Sequence, residues 1–413
     1  MRVPCHEATT AQLAAAHPFA ASSALPARGV LVGRDLLGGL FVHDPFDLYA
    51  SGAITNPNML VLGQIGRGKS ALVKTYLYRQ AAFGRRVVVL DPKGEYGALA
   101  AALGVAPVTL SPGGAQRVNP LEGSRRERVA PREQARRRLA LLAALAASCL
   151  ARPLSPVEHT ALELALERAS AGARAGVPVL PGVVEALLAP DEGEALALGL
   201  GGGLLQSASR DVALELRRLV HGELRGMFDG GTSPGLDLDG AALVLDLSAV
   251  YRSPALGAVM ACATAFLEAI GTGRAQTVLV VDEAWAVLAD VGVARFLQSS
   301  WKLARARGVA NVAVLHRISD LAAAGSAGSV TTRIAEGLLA DSETVVCYGL
   351  PHGEARAAAA ALGTGTAEAN LLARLPRATA LWRVGGRSYL VEHRLAPGER
   401  VIVDTDARLV EAR

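Results

Sequence analysis

Eight residues constrain this chain more than any others: Gly63-Gln64-Ile65-Gly66-Arg67-Gly68-Lys69-Ser70. They fit the pattern G-x-x-x-x-G-K-[S/T]. Ahead of them lies Asn58-Met-Leu-Val-Leu62, an apolar run of strand length, and behind them Ala71–Tyr78 reads as a helix. Strand, glycine loop and helix in that order are the context in which the pattern cradles phosphate. Glycines 63, 66 and 68 let backbone N–H groups curl around an anion that side chains would block. The helix opening near Gly68 points its positive end at the same anion. In that reading Lys69 reaches the β- and γ-phosphates and the Ser70 hydroxyl ligates Mg²⁺. Gln64, Ile65 and Arg67 fill the variable positions of the loop. The bland alternative is a chance glycine turn before a surface helix. Lysine occurs only four times (Lys69, Lys74, Lys93 and Lys302), so a chance lysine in that slot is roughly a one-in-a-hundred event.

The 413 residues suffice for one large domain or two ordinary ones, and 51% of them are hydrophobic, which argues against global disorder. A net charge of +4 is small for this length and permits a nucleic-acid partner without arguing for one. Cys5, Cys149, Cys262 and Cys347 are too dispersed for a metal-ligand spacing. The last three sit in apolar contexts and read as buried thiols in a reducing, cytoplasmic setting. The longest apolar runs, 139–151 and 255–267, fall short of a bilayer span. Membrane association is therefore expected only at the inner face of the cell membrane, through a partner.

Along the chain, residues 1–28 read as a flexible extension, and 29–33 and 39–43 as a short hairpin-like lead-in. Asp44-Pro-Phe46 reads as a turn. Strand and helix then alternate: a strand at 58–62, a helix at 68–82 and a strand at 86–90. Strands whose interior is wholly apolar, such as the Val87-Val-Val-Leu90 of the strand at 86–90, belong in a parallel sheet buried on both faces. Strand-like pieces follow at 106–110 and 117–120. Residues 122–230 break the alternation and read as an all-helical insertion. Its helices are expected at 131–151, from a capping box at Ser155-Pro156-Val157-Glu158, and at 208–228, with a flexible loop at 190–206. Alternation resumes with strands at 242–247, 277–281 and 311–315 and helices at 254–271 and 291–307. A strand at 344–348 follows, and a hairpin at 378–391 turns on Gly385-Gly386. The expected organisation is a core of 29–121 plus 231–396, the insertion at 122–230, and a tail at 397–413.

A phosphate loop alone only binds; hydrolysis also needs a carboxylate for the metal and a group that orients water. The strand Val278-Leu-Val-Val281 delivers Asp282 and Glu283 to the sheet edge where nucleotides sit. Asp282 is assigned to Mg²⁺, and Glu283 to polarising the attacking water. An acidic pair at a strand end is common, but paired with 63–70 the functional reading is the better one. No Asn/Thr-Lys-x-Asp guanine-reading motif is present, which favours ATP over GTP.

Two further stretches, Leu90-Asp91-Pro92-Lys93-Gly94-Glu95-Tyr96 and Asp282-Glu283-Ala284-Trp285, together with Asn119-Pro120-Leu121, carry a resemblance. The chain resembles the HerA–FtsK superfamily of P-loop motors, and within it the ATPase domain of conjugative type IV secretion proteins of the TraC/VirB class. The likeness covers roughly residues 30–395. It implies a P-loop NTPase α/β fold (ASCE/RecA-like): a mostly parallel sheet flanked by helices, with the helical insertion and a C-terminal β-hairpin. It also implies ATP hydrolysis with Mg²⁺, a hexameric ring, and secretion or conjugation machinery as partner, with DNA or protein as cargo. Carried over by position, it places the metal carboxylate on Asp282 and the catalytic glutamate on Glu283. An arginine offered to the neighbour's nucleotide falls on Arg305, with Arg307 as the alternative; a basic helix end complementing its own dipole weighs evenly against both. The family's glutamine sensor slot holds His316, which could bond a γ-phosphate or the lytic water, or be a satisfied core histidine. The large N-terminal docking domain of such ATPases has no counterpart in this sequence.

The basic run Arg125-Arg126, Arg128, Arg132 and Arg136-Arg137-Arg138 reads first as a solvated helix face paired with Glu127 and Glu133, and second as a contact for nucleic-acid phosphates. The leading expectation is an ATP-driven motor of the secretion type. A DNA translocase or coupling protein of the same superfamily, and a nucleotide-gated assembly protein with negligible turnover, are the alternatives.

Overall fold

The computed structural model describes residues 25, 28–36, 39–123, 130–150, 152–173, 176–201, 203–251, 253, 255–270, 275–284, 291–317 and 330–403. The expected 1–28 extension, Trp285, the arginines at 125, 126 and 128, and the last ten residues lie wholly or largely outside them.

Eleven strands form one sheet: β1 (Val30–Asp35), β2 (Leu40–His43), β3 (Met59–Leu62), β4 (Arg86–Asp91), β5 (Val108–Thr109), β6 (Ala242–Asp246), β7 (Thr277–Val281), β8 (Val309–Val314), β9 (Thr344–Tyr348), β10 (Thr379–Val384) and β11 (Arg387–His393). Their spatial order is β2-β1-β11-β10-β9-β3-β8-β7-β4-β6-β5. The seven strands from β9 to β5 are parallel, and the four beyond β9 are antiparallel.

The valine-rich runs explain the middle of this sheet. Successive residues of a strand face opposite sides. Leu60, Leu62, Val88, Leu90, Leu243, Leu245, Leu279 and Val281 enter one buried cluster, while their neighbours Met59, Val61, Val87, Val89, Val244, Val278 and Val280 enter the other. With both faces apolar, both must be covered, and helices cover them. The helix Lys69–Ala82 lays Leu72, Val73, Tyr76 and Leu77 on one face. On the other, the helices Leu256–Ile270 and Val291–Arg307 pack beneath the insertion helix Pro131–Cys149. The insertion shares this second cluster: Leu141, Leu142, Leu145, Leu162, Leu216 and Leu219 are continuous with Leu245 and Val281.

Several local expectations change. Asp44-Pro-Phe46 is a helix start: Asp44 caps the N–H groups of Phe46 and Asp47, and Pro45 takes the first helical position. Residues 117–120 form no strand. The backbone N–H of Arg117 donates to Ser233 Oγ and that of Asn119 to Thr232 Oγ1, and only Val118 N–H between them donates to a backbone carbonyl, Met227 O, so side chains interrupt what would be a ladder. The 190–206 stretch contains the helix Glu192–Ala197, capped by Asp191, and the next helix begins at Leu204 and ends at Val220. The capping box at Ser155–Glu158 is present.

Candidate nucleotide site

In open parallel sheets ligands bind beyond the carboxyl ends of the strands. Here those ends gather Gly63 after β3, Asp91 at the end of β4, Asp282 and Glu283 after β7, and His316 just past β8. The order places β8 between β3 and β7. Val61 pairs with Val314 on one side, and Val281 with Ala313 on the other. His316 therefore stands between the phosphate loop and the acidic pair.

The loop has the backbone that an anion cradle requires. Gly63 has φ +149°, and a Cβ there would lie 2.4 Å from Tyr348 Cβ; Gly68, at φ +115°, directly precedes the helix. Only glycine fits both positions without strain. Gln64 N–H donates to Gly349 O at 3.2 Å and Ala378 N–H to Arg67 O at 2.9 Å, bracing the loop against the β9 and β10 connections. The Arg67 guanidinium reaches Leu375 O at 3.4 Å. Ile65 is 75% exposed, an apolar side chain with no core to join.

Lys69 is buried and donates to Gly63 O, to Gln64 O at 3.3 Å and to His316 Nδ1 at 3.3 Å. An ammonium only donates, so His316 Nδ1 accepts and its Nε2 carries the proton. That nitrogen lies 2.9 Å from Glu283 Oε1. The same carboxylate oxygen is ion-paired with Lys93. Glu283 has φ +50°, a left-handed backbone uncommon for a non-glycine residue and characteristic of functional sites. Asp282 is buried; it accepts from Tyr96 Oη at 3.0 Å and from Glu283 N–H at 2.9 Å. Burial first, and the neighbouring Glu283 charge second, push its carboxyl up to about 6.

One cavity of about 520 Å³ is lined by Ile65, Gly66, Gly68, Lys69, Ser70, Lys93, Glu95, Asp282, Glu283 and His316, and extends to Arg377, Leu395, Arg400 and Val403. It thus joins the phosphate loop, Ser70 and both carboxylates. Among the described residues no cluster of three His, Cys, Asp or Glu could hold a metal alone. Ser70 and Asp282 nevertheless supply hard oxygen donors to one cavity. That suits Mg²⁺, which binds through one or two protein oxygens with phosphate and water completing its shell.

The residues expected at the site do not all meet. Arg305 lies on the exposed face of the helix Val291–Arg307 and does not line the cavity, and Arg307, half-buried on the same helix, does not either. Three contributors escaped the sequence reading: the Lys93 pairing, the Tyr96 bond to Asp282, and the C-terminal wall of Leu395, Arg400 and Val403. Asp91–Tyr96 stood out in sequence only as a family mark. The signal available was a strand ending in a carboxylate: Asp91 accepts from the N–H groups of Lys93, Gly94, Glu95 and Tyr96, and the turn they form delivers Lys93 and Tyr96 to the site.

Comparison with solved structures decides the fold. Over 92% of this chain and all of the other, it superposes on VirB4 of Thermoanaerobacter pseudethanolicus with a TM-score of 0.71 and 23% identity. It has the fold of VirB4. The plasmid coupling protein TrwB gives TM-scores of 0.60 in its complex with a non-hydrolysable GTP analogue (17% identity, 89% of this chain and 90% of TrwB) and 0.58 in its complex with ADP and Mg²⁺ (18%, 89% and 91%). In sequence, residues 50–124 match the family described as an AAA-like domain. No curated protein sequence matches the chain. The VirB4 likeness bears out the expected mostly parallel sheet flanked by helices.

Proposed function

We propose that this chain is an ATP-hydrolysing motor of the conjugative secretion type. The observation that carries the reading is that one cavity brings Lys69 and Ser70 of the phosphate loop together with Asp282 and Glu283 of the neighbouring strand end. The loop and the uncapped start of its helix hold the phosphates, and Lys69 moves from backbone carbonyls to the β- and γ-phosphates. Ser70 and Asp282 hold Mg²⁺, which screens the phosphate charge. Glu283 accepts a proton from the attacking water. His316, bridging Lys69 and Glu283, is placed to bond the γ-phosphate in the slot of the family's sensor.

Arg305 is exposed and does not line its own cavity, which leaves it open to a neighbour's nucleotide. We therefore place it in trans, with Arg307 as its alternative, in a homo-oligomeric ring of six. The ring acts on secretion or conjugation machinery, and its cargo is DNA or protein. No helix among the described residues is long and apolar enough to cross a membrane; we assign any contact with the membrane's inner face to a partner. The DNA-coupling reading rests on the same fold and is favoured over the secretion reading only if DNA raises turnover.

The test is phosphate release by the wild type and by Glu283→Gln, with and without single- and double-stranded DNA. Turnover that falls at least about a hundredfold in the variant is expected from loss of a general base. A wild type no faster than the variant in every condition overturns the motor. Nucleotide binding that survives Lys69→Ala unchanged overturns the loop assignment.

A further inference from the structure

The carboxylate assigned to water carries two donors on one oxygen. Glu283 Oε1 meets the Lys93 ammonium and, at 2.9 Å, His316 Nε2. His316 in turn accepts from Lys69. The four side chains form a chain, Lys93–Glu283–His316–Lys69, with a cation at each end and a single anion inside it. In this arrangement the oxygen that should receive a proton from water is already occupied by charge-assisted bonds, which are shorter and stronger than neutral ones.

Lys93 has somewhere else to go. Its side chain is 26% exposed against 3% for Glu283, so it is the mobile partner. It lines the nucleotide cavity, and also a second one of about 550 Å³ beside it, lined by Gln64, Tyr251, Arg317 and Pro351. Lys93, Glu283 and His316 form the wall between the two. In the same position the Lys93 ammonium sits 5.6 Å from the centre of the Tyr251 ring, which flanks the pair.

We propose that Lys93 is a latch that senses the terminal phosphate: it restrains Glu283 until the γ-phosphate of bound nucleotide draws the ammonium off the carboxylate, leaving Glu283 open to water. The proposal rests on the assignment of the cavity to nucleoside triphosphate. It makes Lys93 a residue that binds the γ-phosphate and, by leaving Glu283, frees that carboxylate, and it gives Asp91 a purpose. The four N–H groups that bond Asp91 fix the turn from which Lys93 projects. A diphosphate, lacking the γ-phosphate, leaves the latch closed.

The experiment is a double-mutant cycle read by calorimetric affinity for a non-hydrolysable ATP analogue and for ADP, both with Mg²⁺. Lys93→Met is expected to weaken the analogue by about tenfold and to leave ADP within about twofold. Glu283→Gln removes the competing anion and tightens the analogue; in the Lys93→Met background that gain disappears. Lys93→Arg keeps a cation and retains the preference for the analogue, and it carries the test if Lys93→Met fails to fold. A gain from Glu283→Gln that persists at full size without Lys93 would be simple charge repulsion and overturns the latch. So does an equal loss of ADP and analogue in Lys93→Met. A wild type that binds neither nucleotide overturns the site itself, an outcome distinct from failure of the latch.

Discussion

Two buried histidines pin the helix that follows the phosphate loop, and they should make its stability depend on pH. His43 Nδ1 lies 2.9 Å from Tyr76 Oη, and His393 Nε2 lies 2.9 Å from Thr75 Oγ1. Burial lowers both imidazoles from 6.5 to about 4; Arg79 lowers His393 further, while Asp44 and Glu399 oppose the shifts at His43 and His393 respectively. The sign follows directly. Between about pH 4 and 6.5 the unfolded chain binds protons that the folded one refuses, so stability is full above the unfolded value and is lost as pH falls through this window. With those values each histidine withdraws about 2 kcal/mol at pH 5 relative to pH 7.5, or about 4 kcal/mol for the pair. Urea denaturation at the two pH values, followed by far-UV circular dichroism, measures the difference. His43→Asn and His393→Asn each lower stability at pH 7.5 but should each remove about 2 kcal/mol of the loss between pH 7.5 and pH 5, a loss that the raised Asp282 carboxyl partly offsets in wild type and variants alike. Variants that keep the full wild-type slope refute the reasoning, because the proton uptake then belongs to other groups.

Three further outcomes follow from the same contacts. Arg79 binds the Glu399 carboxylate through two nitrogens and the carbonyl of Arg394 at 2.7 Å, so Arg79→Met should cost about 2–3 kcal/mol in urea denaturation, less than a fully buried pair because the guanidinium keeps some solvent. Asn58 Oδ1 accepts from Asn311 N–H at 3.1 Å and Nδ2 at 2.9 Å, and its amide donates to Trp301 O at 3.0 Å; Asn58→Ala strands these buried groups and should cost about 2–4 kcal/mol by the same assay. Gly63→Ala forces a side chain onto Tyr348 at φ +149° and should weaken nucleotide binding at least about tenfold in titration calorimetry, with little change in overall circular dichroism.

Much of the sheet was legible because a strand buried on both faces has little choice of composition. Val87–Leu90 and Val278–Val281 could be little else. The order of the strands was not legible, since nothing in β8 itself says that it inserts between β3 and β7. The loop at 63–70 and the pair at 282–283 were readable because each needs particular residue types at fixed spacing. Lys93 was quoted yet given no task, because its partner lies 190 positions away and meets it only through a sheet neighbour relation. Short helices such as Glu192–Ala197 escaped because Gly and acidic residues mimic a loop, while the capping aspartate that makes the helix went unweighed. The last described turn was read as tail. Instead Glu399 and Ile402 are buried, and the short helix Arg400–Val403 packs on the loop's own helix.

The strand order also dictates when this protein can fold. β3 carries the phosphate loop, yet both of its hydrogen-bonding neighbours, β8 and β9, are encoded about 250 residues or more later. β1 waits longer still for β11. A chain emerging from the ribosome therefore carries an apolar strand with two unpaired edges through most of its synthesis, the condition that invites intermolecular pairing. The nucleotide site cannot exist as a nascent fragment. It closes only when the late strands arrive, so a premature stop before β9 yields no fragment with an assembled site.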